Sequence, residues 1–116
     1  MATTETIGNP LANLFTSDKY DVRPSVFTGD ASGYEHGEIV TFDETTNTYA
    51  KCVLGTDQAD GVVYDEVEAD GTVGLVVTSG GVRASLLVGY SALATDALKG
   101  AVRGDLLNKN IYVEDL

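Results

Sequence analysis

The side chains able to do chemistry in this sequence are few and far apart. His36 is the single histidine and stands between Glu35 and Glu38. Cys52 is the single cysteine, 16 residues further on, inside a run that reads as a strand. A thiol nucleophile needs a base within hydrogen-bond reach, and nothing in the spacing joins these two. A small buried hydrophobe is the alternative role for Cys52, and a surface position the alternative for His36. One histidine and one cysteine cannot supply the usual zinc ligand sets within one chain. Asp43-Glu44-Thr45-Thr46-Asn47 resembles the start of a calcium loop. It has Thr48 where the glycine is needed and Leu54 where the bidentate glutamate is needed, so a solvated hairpin tip is expected instead. Ser79-Gly80-Gly81-Val82-Arg83 lacks the G-K-[ST] of a phosphate loop and sits between two expected strands, with no helix start behind it. No G-x-S-x-G occurs either. The reading is a chain that is not an enzyme, with no catalytic residues, no metal and no cofactor.

The elements that would position these groups follow from pattern. The chain has 116 residues, enough for one domain, and 43% of them are hydrophobic. Seven basic against 18 acidic side chains give 7 − 18 = −11. That balance opposes binding to nucleic acid or an anionic membrane surface, where clustered Lys and Arg are required. The carboxylates serve solubility, or a self-repulsion that holds copies apart until a complementary surface is met. No stretch approaches the roughly 18–20 apolar residues of a membrane span. The start, Met1-Ala2-Thr3-Thr4-Glu5, has no basic and apolar leader, so synthesis without export is expected. A lone cysteine forms no internal disulfide.

Residues 1–36 differ in texture from residues 37–116. The first part is rich in Thr, Ser, Asn, Asp and Gly and holds both prolines. Ile7, Leu11, Leu14 and Phe15 follow helical spacing, with Pro10 at a first turn and Asn9 as its cap. Tyr20, Val22, Val26 and Phe27 are spread around Pro24 in an extended pattern. A mobile arm is expected here, with an edge segment packed on its own domain as the alternative. From Gly37 the pattern turns to β. Glu38–Phe42 and Tyr49–Leu54 read as a hairpin, and Val62–Val67 as a strand after Asp60-Gly61. Val73–Thr78 and Val82–Val88 read as a second hairpin turning at Gly80-Gly81. Thr95 caps a helix over 96–103 that Gly104 stops, and Ile111-Tyr112-Val113 closes the chain as a strand.

This order of elements, carried by Ala59-Asp60-Gly61-Val62-Val63, Val73–Arg83 and Asn110–Val113, resembles the lambda-type head decoration proteins of tailed bacteriophages. The resemblance spans roughly Gly37 to Val113. It departs at Val62-Val63, where the family carries Ile-Leu, and over residues 1–36, which are not recognisably alike. What it implies is a mainly β fold: a small β-clip-like or barrel-like body with one short helix and an extended N-terminal arm. It further implies a homotrimer on the capsid exterior of the virion, made in the host cytoplasm. The arm would order on binding and add a strand to the major capsid protein, the expected partner, with no nucleic acid or membrane involved. The arm residues expected to carry that contact are Ile7, Pro10, Leu11, Leu14, Phe15, Tyr20, Val22, Val26 and Phe27, and deletion of 1–24 is expected to leave a folded body. The competing reading is a lipoyl- or biotinyl-type carrier or adaptor domain, for which Lys51 would have to stand at a hairpin tip.

Overall fold

Strand polarity explains the architecture best where it vanishes. Val62 and Val63 are adjacent, point to opposite sides of their strand, and are both fully buried. The same holds for Ile39 with Val40 and for Val76 with Val77. A sheet buried on both faces therefore runs through the molecule, and each face seals its own core. We describe residues 10–115 from a computed structural model of the chain.

The strands are β1 (Asp21–Val26), β2 (Ile39–Asp43), β3 (Thr48–Lys51), β4 (Gly61–Val63), β5 (Val73–Arg83) and β6 (Ile111–Glu114). Their order in the sheet is β1-β5-β4-β2-β3, all antiparallel, and β6 joins the far half of β5 in parallel. The two ends of the five-strand path meet through a bridge between Phe27 and Tyr49, supported by the Thr28 N–H donating to the Tyr49 carbonyl at 2.8 Å. The sheet thus curls toward closure. Phe27, Tyr34, Val40, Val63, Val67 and Val76 fill the inside of the curl. The opposite face, with Ile39, Val62 and Val77, is covered by helix α1 (Asp96–Leu107) through Val102 and Leu106, by β6, and by Leu14 and Phe15. The fold is mainly β with one helix, as the sequence leads one to expect.

Several expected boundaries move: the strand expected over Val62–Val67 is only β4, Gly61–Val63, and the one expected over Tyr49–Leu54 ends at Lys51. The hairpin at Gly80-Gly81 does not exist: β5 is one strand of 11 residues running straight through the glycine pair. Gly80 adopts φ +122°, and a bulge at its β1 side pairs Asp21 with Ser79 but Val22 with Val77. At this point β5 exchanges β4 for the parallel strand β6. A Cβ at Gly81 would meet the Glu114 carboxylate and the Thr16 hydroxyl, which bond each other across it, so these side-chain ends would have to move aside. The strand expected over Val82–Val88 ends at Arg83 and becomes a 3-10 turn, Ala84–Leu86. The helix does not stop at Gly104; buried Val102 and Leu106 hold it to the sheet up to Leu107, and Asn110 takes the left-handed φ of +64° beyond it. Thr95 caps its start as expected, accepting the Leu98 N–H at 3.2 Å.

Residue 36 is no structural boundary among the described residues. A 3-10 turn (Pro10–Leu14), strand β1 and Phe27 are all built into the body. The edge-segment alternative describes residues 10–36, and the free arm does not. Of the apolar residues expected to wait for a partner, Leu14, Phe15 and Phe27 are buried inside the chain instead.

Candidate binding surface

Phe15 pairs with Val82 as an isolated antiparallel bridge, and the Thr16 N–H donates to the Gly81 carbonyl at 3.0 Å. The Arg83 Nε–H donates to the Asn13 carbonyl at 2.8 Å. These contacts fasten the chain entry to the far half of β5. Leu14 is fully buried beneath it, and the Phe15 ring stacks on Tyr20 at 3.6 Å and on Tyr64 at 5.8 Å.

Of the nine residues proposed from sequence, the described ones form no common surface. Ile7 lies outside the described residues. Pro10 and Leu11 sit in the 3-10 turn. Leu14, Phe15 and Phe27 are core residues, a correction to their assignment as partner-facing groups: the apolar spacing that suggested an arm reports burial within the domain. Val22 packs half-buried on the larger core. Tyr20 (39% exposed) and Val26 (53%) present surface, at opposite ends of β1.

Exposed apolar groups that the pattern did not flag flank them. Val73, directly across from Val26, is 71% exposed, and Tyr112, beside Gly81, is 51% exposed. Tyr112 stands between the buried pair Ile111 and Val113, so the period-2 rule applied to β6 points it outward. Val73 shows no such signal, since it lies at the rim of a strand whose next residues are enclosed.

A second feature is a groove beside α1. An open groove of about 640 Å³ runs between α1 and residues 84–91, lined by Ala84, Ser85, Tyr90, Asp96, Lys99 and Arg103. Arg103 is engaged there: its guanidinium pairs with Asp115 at 3.1 Å and donates to the Val113 carbonyl at 2.5 Å. The hydrogen bond to Asp115 holds its pKa above the ordinary value.

The groups singled out for chemistry are separately occupied. The His36 Nδ1 bonds the Tyr64 carbonyl. The Cys52 thiol points to the carbonyls of Asp57 and Gln58, each at 3.8 Å. Burial, then the charges of Asp57, Asp60 and Asp105, push that thiol up to about 11. Among the described residues no group of His, Cys, Asp and Glu is arranged to hold a metal ion. Lys51 is at the end of β3, away from the hairpin tip. Its ammonium donates to the Gly33 carbonyl at 2.5 Å, pairs with Glu38 at 2.9 Å and lies 4.7 Å from the Tyr34 ring centre. No protein-family model matches the chain, and no curated protein matches it.

Proposed function

We propose that this protein is a structural virion component that binds the outer surface of an expanded phage capsid as a homotrimer and stabilises it. Residues 1–9 add a strand to the major capsid protein, and no catalysis is involved. The observation that carries this reading is the anchoring of the chain entry: Leu14 and Phe15 are buried, and Asn13 and Thr16 are bonded to β5, directly behind residues 1–9. A short segment rooted in a rigid body is what a clamp requires, because tension on it is carried by a packed core. The engagement of His36 and Cys52 with backbone carbonyls agrees with a binding role. The grip on Lys51 weighs against the carrier reading, which needs a lysine free to swing.

Energetics make trimerisation part of the mechanism. Ordering eight residues costs roughly 8–16 kcal/mol of backbone entropy. Main-chain hydrogen bonds to a sheet edge return about 0.5–1.5 kcal/mol each. Burying Ile7 adds about 1.5–3 kcal/mol. One segment alone is marginal, whereas three on one trimer engage with effective concentrations in the mM range after the first.

Cosedimentation with expanded, DNA-free capsids of the source phage tests this, using the intact chain and a variant lacking residues 2–9. Saturable binding by the intact chain, weakened at least about tenfold by the deletion, is expected. Equal binding by both would remove the clamp, and no binding by the intact chain would remove the capsid role.

A further inference from the structure

Two Asp-Gly steps occur in the chain, Asp60-Gly61 and Asp70-Gly71. Such a step is open to an intrachain reaction, because glycine has no Cβ to shield its nitrogen from the preceding carboxyl group. The fold treats the two in opposite ways. The Asp60 side chain is only 8% exposed. It accepts the Phe42 N–H at 2.7 Å, the Gln58 side-chain amide at 2.9 Å and the Thr41 hydroxyl at 3.3 Å, and Lys109 stands 3.7 Å away. The Asp60 N–H donates to the Val40 carbonyl at 2.9 Å, and Gly61 is buried in β4. Neither reacting group can turn toward the other without breaking that set.

Asp70 is exposed in the turn ahead of β5. Among the described residues no hydrogen bond or ion pair holds its carboxylate. Its backbone stands at φ +60°, the left-handed region that is unfavourable for a residue with a Cβ. The turn is fixed through its backbone: the Asp70 N–H donates to the Asp30 carbonyl at 2.8 Å, and the Gly71 N–H to the Glu68 carbonyl at 2.9 Å. Breaking the second bond frees the Gly71 nitrogen, and in an exposed turn that opening stays local.

We propose that Asp70-Gly71 is a site of spontaneous backbone modification, from which the fold shields Asp60-Gly61. The Gly71 nitrogen attacks the Asp70 Cγ and forms an N–Cγ bond. The carboxyl hydroxyl leaves with the amide proton as water, which closes a five-membered imide. Water then opens the ring. Attack at Cγ restores aspartate, whereas attack at the main-chain carbonyl carbon leaves the chain running through Cγ, as isoaspartate. One water is lost and one gained, and no oxidant or reductant takes part. The product carries an extra backbone methylene between the two nitrogens that fix the turn. It thereby loosens the next tie along the chain, the Phe27 N–H to the Thr72 carbonyl at 2.8 Å. The reaction needs no partner and does not rest on the capsid role.

Incubation of the folded full chain at 37 °C and pH 7.4 in water labelled with heavy oxygen tests this. Digestion and electron-transfer fragmentation then separate the two sites and distinguish isoaspartate from aspartate. Each passage through the imide leaves one heavy oxygen at the residue. Label and isoaspartate are expected at residue 70 at least about tenfold above residue 60, since the latter reacts only after a larger opening. In urea, where neither carboxyl is held, the two sites are expected to react at similar rates. Faster exchange of the Phe27 amide is expected in the isoaspartate form. Equal labelling of both sites in the folded chain, or labelling of residue 70 confined to urea, would overturn the proposal. A ratio in urea matching that of the folded chain would overturn the shielding, by assigning the difference to sequence. Unchanged Phe27 exchange in the isoaspartate form would overturn the loosening.

Discussion

Cys52 shows how environment decides what a reactive residue does. Half-buried in the loop after β3 and facing two carbonyls and three carboxylates, its thiol is pushed up to about 11. At pH 8 its thiolate is therefore scarce, and alkylation by iodoacetamide is expected to run on the order of tenfold to a hundredfold slower than for the unfolded chain. The rate should climb as pH rises toward 11. A rate matching the unfolded chain at pH 8, followed by mass spectrometry, would contradict this. The sign for stability is equally fixed. The folded state prefers the protonated thiol, so this group's contribution is complete below the ordinary value of 9.0 and is lost as pH rises from there through about 11. The sequence pattern places Cys52 inside a strand as a small buried hydrophobe, whereas it lies half-buried in the loop after β3; only its separation from His36 was legible in the sequence. The acidic surroundings were not, because Asp60 and Asp105 reach it only through the fold.

Element boundaries were readable where local chemistry set them and unreadable where a distant residue did. The Thr95 cap, the hairpin of β2 and β3 and the closing strand β6 all follow from signals within a few residues. Ser79-Gly80-Gly81 carries the signal of a tight turn, yet its purpose is to let Thr16 and Glu114 meet above β5. Those two residues are 98 positions apart, and no local pattern announces their meeting. Gly104 carries the signal of a helix stop, yet it lies inside α1 because Leu106 is drawn into the core. Gly100 and Gly104 both face open space, so neither is demanded by packing within the chain. Gly104→Ala is expected to raise stability by about 0.5–1 kcal/mol, visible as a higher melting temperature. Gly81→Ala is expected to lower it by about 1–3 kcal/mol. An unchanged melting temperature in Gly81→Ala would show that Thr16 and Glu114 are not held over β5 in solution.

At the scale of the molecule, two cores share one sheet, and the N-terminal segment contributes to both. Leu14 and Phe15 enter the larger and Phe27 the smaller. Their irregular spacing, with Pro24 among them, hid this in the sequence: each core takes only one or two of these residues, so no single period links them. Deletion of residues 2–9 is expected to leave the cooperative thermal transition intact. Deletion of residues 1–24, expected from sequence alone to leave a folded body, removes Leu14, Phe15 and most of β1. Losing each buried side chain costs about 2–5 kcal/mol against a total stability of about 5–15 kcal/mol. Loss of the near-ultraviolet circular dichroism at 25 °C is the expected result, and a preserved cooperative melt would contradict it. The parallel strand β6 has a consequence for how the chain is made. Ile111 and Val113 are buried in the larger core, and they are translated after the other described elements. While β6 is still inside the ribosome, Gly80–Arg83 lacks its parallel neighbour and the larger core has no lid. The nascent chain can assemble the smaller core early, but the whole domain closes only once β6 has emerged, so a premature stop just after Asn110 would yield a product for the proteases rather than a shortened domain.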